Sequence, residues 1–242
     1  MRVYSGSDIG LTRDSNQDDC KTGVFSDNAI WVVVCDGMGG ANGGCTASTV
    51  ATETISQKLI ELYTPFASDD WIREIMEVAI QEANLKVFDI SMEDSSLHGM
   101  GTTVVCAIAR DHRLQIVHAG DSRAYLVRDG EISRITTDHS VVQELVSAGE
   151  ITDEQARVHP SRNIITRALG VEPYLETDYN TAEFPEGSVL MICTDGLCGY
   201  FSDEELLGLM QSVSGDELIS KLIDAAKDQG GRDNITVALI EG

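Results

Sequence analysis

Basic residues are scarce in this chain: 17 Lys and Arg stand against 40 Asp and Glu, a formal net charge of −23. So little positive charge argues against nucleic acid and anionic membrane as partners, since both are bound through basic surface. Proline is also scarce, at four residues, and no low-complexity run marks a linker. Residues 1–242 are therefore expected to form one domain, long enough to bury a full core. No apolar run reaches the roughly 20 residues of a membrane span, and Met1–Asp8 lacks the apolar core of a signal peptide. A soluble, cytoplasmic, monomeric protein is the expectation.

None of the six cysteines forms a Cys-x-x-Cys pair, and Cys35, Cys106 and Cys193 lie inside apolar runs, as reduced core thiols do. The five histidines are scattered without zinc spacing. The glycine-rich stretch Gly37–Gly44 fails both nucleotide patterns. Asn42 stands where a dinucleotide fingerprint needs glycine, and Cys45-Thr46 follows Gly44 where a P-loop needs lysine.

What the chain does have is aspartate at strand ends, beside glycine or a polar turn: Asp36-Gly37, Gly120-Asp121-Ser122, Asp195-Gly196 and Arg232-Asp233-Asn234. Ala29–Cys35 leads into Asp36, Leu114–Ala119 leads towards Asp121, and Val189–Cys193 leads towards Asp195. These runs are short, β-branched and unbroken, as strands buried on both faces are. Asp233 instead precedes its strand, Ile235–Ile240. In an antiparallel pair the end of one strand lies beside the start of its neighbour, so Asp36, Asp195 and Asp233 are expected to share one edge. Carboxylates gathered there would repel strongly unless hard divalent cations lay between them, and all-oxygen ligands favour Mg²⁺ or Mn²⁺ over zinc.

The remaining pattern comes in blocks. A strand-rich start through Val34 is followed by helices over about Cys45–Tyr63 and Asp70–Met92. Strands are expected at Thr102–Ala109, Leu114–Ala119 and Ala124–Arg128, the last closing a hairpin with Ile132–Ile135. Residues 138–170 change character to short helices, with Thr152-x-x-Gln155 written as a capping box, and form an insert placed over the site. Ser202-x-x-Glu205 and Ser214-x-x-Glu217 cap two further helices, the second stopping at Gly230-Gly231. Two antiparallel sheets, each covered by a helix pair, account for this order.

Eight elements then carry a family resemblance: Ser7–Gly10 with Arg13–Asp18, Asp36–Gly40, Met100–Thr103, Ala119–Arg123, Thr137–Ser140, His159–Arg162, Thr194–Leu197 and Arg232–Thr236. Each alone is weak, but in this order over the whole chain they resemble the metal-dependent protein serine/threonine phosphatases of the protein phosphatase 2C (PPM) type, bacterial branch. The resemblance implies an α+β fold, a four-layer α-β-β-α sandwich with a small helical flap, and Mn²⁺ or Mg²⁺ as cofactor. By position, Asp36 would bridge two ions, the Gly37 carbonyl would ligate one, and Asp195 and Asp233 would complete the set. Asp18 would act through water, Asp121 with Asp195 would hold a third ion, and Arg13 would grip the substrate phosphate. Water between two ions would attack phosphoserine or phosphothreonine without a covalent intermediate. Phosphoproteins, including a serine/threonine kinase, are the implied partners. The alternative is a catalytically weak module of the same fold that binds phosphoproteins or a kinase.

One departure stands out. Many members carry a histidine in or just after the Asp-Gly-x-Gly-Gly element as general acid, and here those positions are Met38 and Ala41. A metal-bound water or a residue of the insert, with His159 the favoured side chain, would replace it, although the His159–Arg162 element equally reads as a support of the insert's own fold.

Overall fold

The computed structural model describes residues 1–211 and 213–242, apart from the side chains of residues 41 and 42. The strands are β1 (Arg2–Asp8), β2 (Asp18–Val24), β3 (Ile30–Met38), β4 (Gly101–Thr102), β5 (Val104–Arg110), β6 (Arg113–Ala119), β7 (Arg123–Arg128), β8 (Glu131–Arg134), β9 (Asp178–Glu183), β10 (Val189–Cys193) and β11 (Ile235–Glu241). The helices are α1 (Gly40–Leu62), α2 (Asp69–Glu93), α3 (Val141–Ser147), α4 (Asp153–Arg157), α5 (Asp195–Cys198), α6 (Asp203–Met210) and α7 (Gly215–Asp228).

The first sheet has the order β1-β11-β10-β7-β8, and the second β2-β3-β5-β6-β9 with β4 added to β3. Every ladder is antiparallel. Strand β3 shows how the layers form. Its side chains alternate between faces, so Ile30, Val32 and Val34 meet β10 and β11 residues between the sheets. Trp31, Val33 and Cys35 turn the other way and pack under α1 and α2. On the far side, Leu206, Met210, Leu218 and Leu222 of α6 and α7 cover the first sheet through Met191, Val237 and Leu239. Three apolar layers thus join helices, sheet, sheet and helices, the expected α-β-β-α order.

Several local expectations change. Helix α1 begins at Gly40 rather than near Cys45, because the glycine stretch is the helix's first turns. Glycine is needed there: a Cβ on Gly37 would lie 2.0 Å from the Gly44 carbonyl oxygen, so helix start and strand end touch through backbone. The capping boxes at Thr152 and Ser202 are both formed, but Ser214 caps α7 without a side-chain hydrogen bond. Strand β9, Asp178–Glu183, is an edge strand with a polar sequence and carries no apolar alternation that would have announced it. The insert over 138–170 holds the short helices α3 and α4, and its root is stitched to the body by bridges Thr102↔Leu169 and, within itself, Ser140↔Ile165.

Candidate active site

Five aspartates meet at one end of the sandwich, and each arrives by a different route. Asp18 opens β2 and lies opposite Asp36 in the β2–β3 ladder, so the second sheet supplies both. Asp195 opens α5 just after β10, and Asp233 lies two residues before β11. Cys193 pairs with Val237, which brings these two together at one end of the first sheet. Asp121 sits on the two-sheet crossover between β6 and β7. The expected sharing of one sheet edge therefore holds for Asp195 and Asp233 only. Asp36 reaches them because the sheets stack, not because the strands pair.

The cluster lines a cleft of about 490 Å³ that also takes in Arg13, Gln17, Gly37, Met38, Thr103 and Asn234. Asp18 is buried beneath, with one carboxylate oxygen, Oδ2, accepting from Thr194 Oγ1 at 2.8 Å. Thr194 Oγ1 in turn accepts from the Thr236 amide at 3.0 Å, so one hydroxyl ties the two sheets together at the site. Asp36 is seated by its neighbours' backbone and hydroxyls. Its N–H donates to Thr103 Oγ1 at 2.9 Å and its carbonyl accepts from Thr102 Oγ1 at 2.8 Å. Asn234 holds the loop before β2: its Oδ1 accepts from the Gln17 amide, and its Nδ2 donates to the carbonyls of Ile9 and Ser15. That loop carries Arg13, whose Nη2 lies 2.6 Å from Asp233 Oδ2. Thr103 and Thr194 were missed as site residues in the sequence, where their only signal was membership of the quoted Met100–Thr103 and Thr194–Leu197 elements.

Electrostatics give the cluster its meaning. Burial, then repulsion from its neighbours, holds the Asp36 carboxyl well above the ordinary range. Burial also pushes Asp18 and Asp121 up to about 7 and Asp195 up to about 6, with Asp233 adding to the Asp195 shift by repulsion. The second oxygen of Asp18, Oδ1, is buried without a hydrogen-bond partner among the described residues. Crowded carboxylates, one orphaned carboxylate oxygen and a single guanidinium at the rim fit hard divalent cations with oxygen ligands.

Met38, and not His159, is among the residues that line the cleft, and a thioether carries no transferable proton; the side chain of Ala41 lies outside the described residues. On the insert side, the described wall is Asn163 and Ile165. His159 instead accepts a hydrogen bond from the Ser161 amide at 3.1 Å, a bond that shapes its own turn.

Two tests follow from this geometry. In the cation-free protein the native state binds more protons than the unfolded chain between about pH 4 and about pH 7, because its carboxyls titrate above the ordinary 3.8. Stability should therefore fall as pH rises through that window. Mn²⁺ should raise the melting temperature more at about pH 8 than at about pH 5, where protons compete for the carboxylates. Calorimetric melting with chelator and with Mn²⁺ reads both, and a cation-free melting temperature that ignores pH would refute the account. Second, a Cβ on Gly196 would lie 1.9 Å from the Asn234 carbonyl oxygen. Gly196→Ala is expected to cost about 1–3 kcal/mol in urea unfolding with chelator present, and wild-type stability would discard that contact.

The chain matches the protein phosphatase 2C family over residues 12–236. It is 38% identical over 247 residues to the serine/threonine phosphatase stp of Listeria monocytogenes, covering 100% of this chain and 96% of that one. Among solved structures, the serine/threonine phosphatase of S. agalactiae superposes with a TM-score of 0.92 at 34% identity, covering 99% of this chain and 98% of that one. The catalytic domain of the phosphatase PstP, solved in complex with two manganese ions, superposes with a TM-score of 0.85 at 33% identity, over 98% of this chain and 96% of that one. The family match over most of the chain and these near full-length similarities show that the chain belongs to the protein phosphatase 2C family of metal-dependent protein serine/threonine phosphatases.

Proposed function

We propose that the enzyme forms one phosphatase domain over residues 1–242 and uses Mn²⁺ or Mg²⁺ held by Asp36, the Gly37 carbonyl, Asp195 and Asp233. Asp121 with Asp195 would hold a third, weaker ion, and the buried Asp18 would act from below through Oδ1, which has no hydrogen-bond partner among the described residues. The observation that carries this reading is the convergence of five carboxylates, four of which, Asp18, Asp36, Asp121 and Asp195, have their proton affinities raised by burial and then by mutual repulsion. When bound, such ions neutralise the phosphoryl group and lower the pKa of a water held between them.

The chain's own residues do the rest. Arg13, half-exposed beside Asp233, presents a planar fork to the phosphate oxygens of the incoming substrate. Asn234 keeps the Arg13 loop in register with the acidic floor. Thr103 fixes the Asp36 backbone and Thr194 the Asp18 carboxylate, so these two aspartates are positioned before substrate arrives. With Met38 carrying no proton, the departing serine or threonine oxygen takes its proton from solvent in the open cleft.

The substrates are phosphoproteins, and the reaction opposes a serine/threonine kinase. The chain works as a cytoplasmic monomer. Among the described residues no helix is long and apolar enough to cross a membrane.

A phosphothreonine peptide and an aryl phosphate, each with Mn²⁺, Mg²⁺ or chelator, separate these roles. Asp195→Ala should lower turnover of both more than about a hundredfold, since bound ions supply several kcal/mol of transition-state stabilisation. Retained turnover would remove Asp195 from the centre. His159→Ala should leave the pH–rate profile unchanged on both substrates. Loss of its alkaline limb on the peptide alone would restore His159 as the general acid.

A further inference from the structure

Behind the cleft, His118, His139 and Asp178 place a potential ligand atom each within 4.8 Å of one another. The set resembles a two-histidine, one-carboxylate metal site, but its hydrogen bonds exclude that use. With His139 Nδ1 accepting from the Gly120 amide at 3.2 Å, Nε2 carries the ring hydrogen and has no lone pair to offer. That hydrogen faces Asp178 Oδ2 at 3.3 Å. Arg167 already pairs with the same carboxylate, its Nη1 donating to Asp178 Oδ1 at 2.8 Å, and its 3.1 Å approach to His139 Nε2 is then a contact between two donors and not a hydrogen bond. Burial keeps both imidazoles below their ordinary pKa and hence neutral, and the His118 ring stacks on that of His139 at 4.8 Å.

We infer that His139, oriented by Asp178, is a positioning residue for Asp121, acting through the Gly120 peptide, and that it sets the affinity of the weakest metal site. The geometry is two-sided. His139 accepts from the Gly120 N–H through its ring and donates its own N–H to the Gly120 carbonyl at 2.9 Å. On the other side of Asp121, Arg123 makes a bidentate pair with Asp138, at 2.9 and 2.7 Å. Consecutive residues Asp138 and His139, at the root of the insert, therefore clamp the turn immediately before and after Asp121. The turn requires glycine at 120: its φ is +107°, and a Cβ there would lie 2.6 Å from the Thr103 side chain. Asp178 lies opposite His118 in the β6–β9 ladder, so the relay is anchored in the second sheet and crosses to the insert. It resembles the carboxylate–histidine relays that orient metal ligands, with a backbone amide in place of the metal.

This inference rests on Asp121 being a metal ligand, and the test separates the two. Metal-stripped full-length protein is titrated with Mn²⁺ by calorimetry as wild type, Asp121→Asn, His139→Ala, His139→Asn and His139→Gln. Asn places an oxygen where Nδ1 was, keeping the acceptor for Gly120, whereas Gln reaches only the Nε2 end. His139→Ala and His139→Gln should weaken the weakest Mn²⁺ step about tenfold, with the tighter steps unchanged, and His139→Asn should restore it. If the alanine variant does not fold, the Asn and Gln pair still decides, because a merely structural role would not rank them this way at one step alone. A weak step lost in Asp121→Asn but intact in both His139→Ala and His139→Gln overturns the relay and leaves Asp121 as ligand. A weak step that survives Asp121→Asn removes that ligand and the relay with it. Stoichiometric Zn²⁺ retained by wild type and lost in His118→Ala would make the cluster a metal site and overturn the inference as well.

Discussion

The burial of several carboxylates, sharpened by their mutual repulsion, is the constraint on which this molecule is built. Asp18, Asp36, Asp121 and Asp195 are held together at a cost that their raised proton affinities register directly. Such a cluster persists only if rigid structure over-determines it, and here the rigid structure is two stacked sheets locked by three apolar layers. Divalent ions, which the family uses, would offset both the burial and the repulsion on binding.

The sheets are joined at the site by few polar bonds, each with a definite task. Thr194 reaches from the first sheet to Asp18 in the second, and Asn234 reaches from the start of β11 to the Arg13 loop. Glycine permits the closest approaches, Gly37 against Gly44 and Gly196 against Asn234, where no side chain fits. The insert is tied to the same end through Asp138 and His139, so the part of the chain that lies beside the cleft is also in contact with the turn that bears Asp121.

Much of this was legible in the sequence, for reasons that differ by residue. Strands such as Val32–Val34 and Met191–Ile192 announce themselves because burial on both faces demands unbroken apolar, largely β-branched runs. Asp36, Asp195 and Asp233 stood out because Asp beside glycine or asparagine at the edge of such a run faces solvent from a fixed backbone. Strand β9 was not legible: an edge strand whose chain reads Asp-Tyr-Asn-Thr-Ala-Glu has its identity from its partner β6 alone. The start of α1 was misplaced because glycine, which normally ends helices, was retained there for backbone contact with β3.

By itself the sequence determined the layers and the aspartates at strand ends, because periodicity and local turn chemistry are properties of neighbouring residues, while the family was legible only as a resemblance of eight short elements in order. Only the tertiary structure decided that Asp36 meets Asp195 by sheet stacking, that Thr194 bonds the Asp18 carboxylate, and that His139 grips Gly120. These are contacts between residues up to 176 positions apart, as Asp18 and Thr194 are. Their partners are chosen by the register and stacking of whole sheets, which no local pattern encodes.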